Sequence, residues 1–138
     1  MNESFDKAVE FVLQHEGGYS NDPNDPGGET HWGISKRSYP SLDIKNLTKT
    51  QAVEIYRKDY WLKNDCDKMS YPLDIFVFNC AVNCGSGLVE NILKNTNNVE
   101  KFLLLQIKYY HDLVKKNPKL KIYYAGWINR SVTLMQFL

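Results

Sequence analysis

The chain has 138 residues, of which 43% are hydrophobic and 24% are charged, and these values are typical of one globular domain with its own hydrophobic core. A formal net charge of +1 provides no general attraction to nucleic acid, so we expect no nucleic-acid partner. The N-terminus lacks the basic and apolar segments of a signal peptide, and no run reaches the about 18 apolar residues of a membrane span, so we expect cytoplasmic synthesis without stable membrane insertion.

The first predicted helix begins after an N-cap residue, Ser4, and ends at Gly17-Gly18. Its apolar residues fall on one stripe at helical spacing: Phe5, Ala8, Val9, Val12 and Leu13. Glu16 therefore lies in the last turn, beside a chain reversal. A polar loop, residues 19–31, follows and contains two Asx-Pro steps that force tight turns. A loop of this length in so small a domain indicates a functional role.

A short strand or turn is predicted at Trp32-Gly33-Ile34-Ser35, and the pattern of the remaining chain predicts helices. Thr48 and Gln51 predict a capping box for a helix that extends to about Lys63. The run Leu73–Cys84 is apolar nearly all round and predicts the central buried helix. A short helix (88–94), a long one (99–116) and a final one (123–138) follow, separated by a polar turn at residues 95–98 and by Asn117-Pro118. We therefore expect a mainly α fold with a small irregular or β insertion after the first helix.

Charge is distributed unevenly along the chain. The first 30 residues hold seven acidic side chains against one lysine, whereas residues 114–138 hold five basic side chains and no acidic one. This asymmetry is compatible with a carboxylate-lined cleft beside a surface that attracts an anionic cell wall or lipid. Two solvated faces of opposite sign would explain it equally well.

Carboxylates near the first chain reversal could support glycoside hydrolysis. That reaction needs a carboxylic acid to protonate the leaving oxygen, and commonly a second carboxylate. Glu16 follows an apolar helix face, which would desolvate its carboxyl and raise its pKa. Asp22 and Asp25 lie in the next loop, which could fold back over the helix end. Glutamates near helix ends are common, however, so a structural Glu16 stays open on this evidence.

Other chemistries are less well supported by the sequence. The segment from Asp22 begins like a calcium loop, but Gly33 stands where the bidentate glutamate should be. The three histidines lack zinc-site spacing, and we expect no metal and no cofactor. The odd number of cysteines favours small core residues over a disulfide framework. A Cys80–His peptidase site stays an alternative, although a thiol inside an apolar helix is normally inert.

Several motifs together carry a family resemblance. Their first part comprises Glu16-Gly17-Gly18-Tyr19, Asn21-Asp22-Pro23, Asp25-Pro26-Gly27-Gly28 and Trp32-Gly33-Ile34-Ser35. Their later part comprises Leu47-Thr48, Ala52, Ile55-Tyr56-Arg57, Tyr60-Trp61, the run Phe78–Gly85, Lys116-Asn117-Pro118 and the run Gly126–Arg130. In these motifs the chain resembles glycoside hydrolase family 108, which comprises phage endolysins and related bacterial N-acetylmuramidases with a lysozyme-like helical fold.

The resemblance implies a catalytic group. Glu16 corresponds to the family's catalytic glutamate in E-G-G-Y, and the substrate would be the β-1,4 bond between N-acetylmuramic acid and N-acetylglucosamine in bacterial peptidoglycan. The wider phage lysozymes pair such a glutamate with an aspartate nine residues on and a threonine beyond it. Asp25 and Thr30 are our expected water-positioning residues, with Asp22 as the spare carboxylate. Thr30 lies one residue before the usual position of that threonine, and His31 occupies the usual position. Whether the anomeric configuration is inverted or retained stays open.

The resemblance also suggests substrate-binding residues. We expect Tyr19, Asp22, His31, Trp32 and Asn83 to contact the substrate, and Trp61 is a weaker candidate. Asn83 could instead be a structural amide that ties the loop 19–31 to the central helix. Two departures from the family pattern affect the cleft: Asn79 replaces a frequent aspartate, and the glycine-rich segment after the central helix is short.

The resemblance implies one lysozyme-like domain over residues 1–138. Residues 1–87 would form its catalytic part, and residues 88–138 a helical, peptidoglycan-binding-like part packed on it. We expect a monomer that waits in the cytoplasm and reaches the cell wall after a holin opens the membrane. The alternatives are a non-catalytic peptidoglycan-binding or secretion-assisting protein on the same fold, and a lytic transglycosylase that uses Glu16 without a water-positioning partner.

Overall fold

The computed structural model describes residues 3–24 and 26–138. The helices within these ranges are α1 (Glu3–His15), α2 (Lys49–Tyr56), α3 (Leu73–Cys84), α4 (Ser86–Leu93), α5 (Val99–Lys116) and α6 (Lys121–Leu134). Two short antiparallel strands follow α1, namely β1 (Thr30–His31) and β2 (Ile34–Ser35). The prediction of a mainly α fold with a small β insertion after the first helix is therefore confirmed.

Helix α3 lies at the centre of the core, as its apolar composition predicts, and packs against α1, α4 and α5. Beside it, aromatic rings meet edge to face: the centroid of Phe78 lies 5.8 Å from that of Phe5 and 5.6 Å from that of Trp61. Such pairs contribute about 0.5–1.5 kcal/mol each beyond the burial of their area. Trp61 is completely buried in this cluster, which excludes it as a sugar-binding surface.

Helix α2 begins with the predicted capping box. The Thr48 side chain accepts a hydrogen bond from the Gln51 backbone N–H, and the Gln51 side chain accepts one from the Thr48 N–H. The helix then continues as a π-helical segment, Arg57–Leu62, which the sequence pattern does not predict. Tyr56 and Trp61 lie five residues apart, and both are buried. In an α-helix of 3.6 residues per turn, this spacing would point the two side chains to different faces, whereas a helix with more residues per turn brings them to the same face.

The strands β1 and β2 are joined by the two residues Trp32 and Gly33, which both have positive φ, 55° and 77°. This is the turn type whose twist suits a two-residue hairpin. Trp32 is strained there because it carries a Cβ. Two hydrogen bonds oppose the strain: the indole N–H donates to the Leu47 carbonyl (2.9 Å), and the Tyr56 hydroxyl donates to the Trp32 carbonyl (2.8 Å).

Several helix boundaries differ from the sequence prediction, and two of them have a clear physical reason. Ser4 lies inside α1 and its side chain hydrogen-bonds Asp74, so it is not the N-cap residue. Helix α4 begins at Ser86 because the break from α3 needs only Gly85, whose φ of 93° turns the chain. Within the described ranges, every helix is too short or too polar to cross a bilayer.

Replacing Thr48 by alanine should lower the free energy of unfolding by about 1 kcal/mol, because the Gln51 N–H loses its capping acceptor. Urea unfolding followed by circular dichroism measures the change. The matched control is Thr50→Ala, at an exposed position inside the same helix, where alanine should cost nothing. Equal destabilisation by the two variants would contradict a specific role for the cap.

Candidate active site

Glu16 directly follows α1, and its backbone N–H still donates to the Val12 carbonyl (3.0 Å). Its side chain is 27% exposed, and its Oε1 accepts a hydrogen bond of 3.0 Å from Nη1 of Arg130. The Arg130 side chain is only 9% exposed. The carboxyl is therefore held by a buried cation and does not lie in the purely apolar environment that the sequence suggested, yet part of it stays accessible.

Arg130 joins three parts of the fold. It lies on α6, pairs with Glu16 at the end of α1, and donates from Nε to the Asn79 side-chain oxygen on α3 (2.9 Å). Its remaining nitrogen, Nη2, is buried without a hydrogen-bond partner in the part of the chain that the structure describes. A buried guanidinium requires compensation by charge and hydrogen bonds, so Glu16 and Asn79 together make this position tolerable.

The hairpin tip contacts Glu16 from another side. A Cβ at Gly33 would lie 2.7 Å from Cγ of Glu16 and would also meet the Tyr56 hydroxyl oxygen, so only glycine fits there. Burial, followed by the negative charge of Glu16, raises the pKa of Tyr56 far above its usual range. The phenol therefore stays neutral and keeps donating to the Trp32 carbonyl.

Three of the predicted substrate-binding residues form one aromatic group. The His31 ring stacks on Trp32, with centroids 5.4 Å apart, and meets the Tyr19 ring edge-on at 5.7 Å. The Tyr19 hydroxyl donates to the Glu29 carboxylate, which raises the pKa of Tyr19. His31 Nδ1 is hydrogen-bonded to the Ile44 carbonyl at 3.0 Å and therefore donates to it. Tyr19, at 40% exposure, presents its ring to solvent.

The predicted water-positioning residues are less well defined. Thr30 exchanges two backbone hydrogen bonds with Ser20 (2.9 and 2.8 Å), which fasten the loop to β1. Asp25 lies outside the described residues. Asp22 is exposed, and its carboxylate accepts a hydrogen bond from the Asn24 N–H (2.9 Å), an arrangement that stabilises a turn. The catalytic assignments of Asp25 and Thr30 stay predictions.

Asn83 points to a different part of the molecule from the one the sequence suggested. Its side-chain amide donates to the Tyr110 hydroxyl on α5, so it links α3 to α5 and not to the loop 19–31. Nearby, a hydrogen bond with Cys84 and burial raise the pKa of the Cys80 thiol far above its usual range. Such a thiol is a poor nucleophile, and the peptidase alternative finds no support here.

Sequence reasoning missed Arg130, which pairs with Glu16, and Tyr56, whose hydroxyl lies beside the hairpin tip at Gly33. One signal was present in the sequence for the arginine: it lies at helical spacing from the apolar residues Trp127 and Leu134. A charged residue on a buried stripe requires a partner. The identity of that partner, which lies 114 residues away in the chain, had no local signal.

Comparison with known proteins places the chain among the glycosyl hydrolases. The model of the family Glycosyl hydrolase 108 matches residues 9–85, which is more than half of the chain, so the chain belongs to that family. The solved "Structure of Brucella abortus SagA" shares the fold, with a TM-score of 0.79 and 23% sequence identity over 97% of this chain and 95% of that one. No curated protein matches the sequence. The family match includes Glu16, Tyr56 and Asn79, whereas Arg130 lies beyond it.

Replacing Gly33 by alanine should lower the free energy of unfolding by about 2–4 kcal/mol, because a positive φ and a clash with Glu16 act together. Gly28→Ala is the matched control, since Gly28 also has positive φ (71°) but open space around its Cα. The free energy of unfolding of Gly28→Ala should fall only by the cost of the backbone strain, about 1 kcal/mol. Similar losses in urea unfolding would show that the contact with Glu16 is unimportant.

Replacing Arg130 by methionine should lower the free energy of unfolding by about 3 kcal/mol, because Glu16 and Asn79 lose a shared buried partner. The comparison is Lys108→Met, which removes an exposed ion pair with Asp112 and should cost at most about 0.5 kcal/mol. Thermal or urea unfolding of both variants measures the difference. An Arg130→Met protein as stable as Lys108→Met would contradict the pairing.

Proposed function

We propose that this glycosyl hydrolase is a muramidase of the lysozyme type. It cleaves the β-1,4 bond between N-acetylmuramic acid and N-acetylglucosamine in bacterial peptidoglycan, with Glu16 as the general acid. The observation that carries the proposal is the environment of this carboxyl. Glu16 is partly exposed, held in one orientation by Arg130, and in contact with the hairpin tip at Gly33.

The geometry supports contact between Glu16 and the leaving oxygen. A general acid must lie within hydrogen-bond reach of the leaving oxygen, and preorganised groups contribute most where charge develops. Oε1 is held by Arg130, and the exposed part of the carboxyl can face the glycosidic oxygen. After the proton leaves, the guanidinium stabilises the resulting carboxylate. Arg130 therefore orients the acid and accommodates its charge change within the reaction.

A second group must position water or stabilise the developing cation. We propose Asp25 and Thr30 for this task, with Asp22 as the spare carboxylate. Support comes from the placement of Thr30 on β1, because the turn that ends β1 carries Gly33 against Glu16. The hydrogen bonds between Ser20 and Thr30 also join the start of the loop 19–31 to β1.

The aromatic group of Tyr19, His31 and Trp32 is the proposed sugar-contacting surface beside the acid. Apolar faces of sugar rings pack on aromatic rings, and the exposed Tyr19 is the accessible member. The C-terminal part, residues 88–138, contributes Arg130 to the site, and its basic side chains would favour an anionic cell wall. We propose that the protein acts on the wall after release from the cytoplasm through a holin-opened membrane.

The decisive experiment is digestion of purified peptidoglycan by the wild type and by Glu16→Gln, with the products read by mass spectrometry. Glutamine keeps an acceptor oxygen for Arg130 but has no acidic proton, so activity should fall by about 10²–10⁴-fold while the fold is retained. Glu10→Gln, on the exposed face of α1, should retain full activity.

The products distinguish the alternatives. Reducing muramic acid ends that vanish in Glu16→Gln support the muramidase. Anhydro ends would indicate a lytic transglycosylase. Binding of wild-type protein to peptidoglycan without release of fragments would overturn the enzymatic proposal and leave a wall-binding or secretion-assisting protein.

A further inference from the structure

A polar groove of about 350 Å³ lies between the π-helical segment and the start of α4. Its wall is formed by Ser38, Tyr39, Asp59, Tyr60, Lys63 and the Gly85 turn. The volume is in the range of small-ligand sites. None of these residues was predicted to bind substrate. Tyr60 and Gly85 belong to motifs that carry the family resemblance.

The groove is connected to the candidate acid through two tyrosine rings. Tyr60 in its wall packs against Tyr56, with centroids 5.6 Å apart, and the Tyr56 hydroxyl lies beside Gly33 and Glu16. Burial is the main factor that raises the pKa of Tyr60, and the negative charges of Asp59 and, to a smaller extent, Glu16 contribute. The groove therefore lies near the Glu16 carboxyl, with the buried ring of Tyr56 between them.

The polar groups of the groove are held in place before any ligand arrives. The Tyr39 hydroxyl donates to Oδ2 of Asp59 at 2.6 Å, and the Tyr39 N–H donates to the Ser35 carbonyl of β2 at 3.0 Å. Burial and the bond to Asp59 raise the pKa of Tyr39, so the phenol stays protonated and keeps the carboxylate oriented. Asp59 belongs to the π-helical segment, a type of irregularity that is frequent at functional sites.

The chemistry of this wall suits an N-acetylated amino sugar that carries an acidic peptide. Asp59 provides an oriented acceptor for sugar hydroxyl or amide hydrogens, and the two phenol rings offer apolar surface for a sugar ring. Lys63 is exposed at the rim and forms no ion pair in the described part of the chain, which leaves its charge for a peptide carboxylate. By contrast, the groove at Met69–Leu73 and Asn97–Val99 has no charged side chain in its wall.

We propose that the Tyr39–Asp59–Tyr60 groove is a subsite for the glycan strand, in which Asp59 binds the amino sugar and Lys63 binds a carboxylate of the attached peptide. This inference rests on the proposed function, because it concerns the same strand that Glu16 would cut. It adds a specificity element: strands with acidic peptides should bind more tightly than bare amino-sugar oligomers.

Binding is measured with a Glu16→Gln protein, so that no probe is consumed. Two probes are compared by calorimetry: an N-acetylglucosamine hexamer, and soluble peptidoglycan strands that carry tetrapeptides. Asp59→Asn keeps an acceptor for Tyr39 but loses the charge, and it should lower the affinity for both probes by about tenfold. Lys63→Gln should lower only the affinity for the peptide-bearing strands, by about threefold. Lys58→Gln, on the exposed side of the same segment, should change neither affinity.

Unfolding curves that match the parent protein establish that the variants are folded. Unchanged affinity of Asp59→Asn for both probes would overturn the subsite. Equal weakening of both probes by Lys63→Gln would overturn the peptide contact. These failures are distinct from failure of the muramidase proposal, which is decided by whether the wild type releases fragments from intact peptidoglycan.

Discussion

The buried guanidinium of Arg130 couples the first helix, the central helix and the last helix at one point. It donates to Glu16 and to Asn79, and it would be costly to bury without them. Burial of the arginine therefore favours the arrangement in which α6 lies against the end of α1. The site that results is built from both ends of the chain, although the family match ends at residue 85. This long-range pair orients the carboxyl of a glutamate that follows the first helix.

The opposite side of the site shows how local strain contributes to preorganisation. The hairpin turn keeps Trp32 at positive φ, and two hydrogen bonds from separate parts of the fold oppose the cost. The turn brings Gly33 so close to Glu16 that no side chain fits between them. The carboxyl thus lies between a cation on one side and the hairpin turn on the other, while part of the side chain stays exposed to solvent. Tyr39 follows the hairpin and bonds to both Ser35 of β2 and Asp59, so the hairpin contacts Glu16 at its turn and is linked through Tyr39 to the proposed subsite.

Much of the fold could be predicted because its signals are local. The bounds of α3 and α5 agree with the sequence prediction, since apolar runs and terminal Gly, Asn and Pro residues act within a few positions of each helix end. The capping box at Thr48 and Gln51 is confirmed for the same reason. The π-helical segment was not predicted, because it depends on two buried rings that must reach one core. The N-cap prediction at Ser4 was wrong, because its side chain bonds across the core interface to Asp74.

For the site, the sequence by itself determined that a glutamate lies at the end of the first helix, that a turn-rich loop comes next, and that a short strand or turn follows at residues 32–35. These are consequences of spacing and of backbone preferences over a few residues. Only the tertiary structure decided that Glu16 pairs with Arg130, that Asn83 binds Tyr110 and not the loop, and that Tyr39 orients Asp59. Each of these pairs joins residues 20 to 114 positions apart. Their contact depends on how whole helices pack, and helix packing is selected by the complete core, which no local pattern encodes.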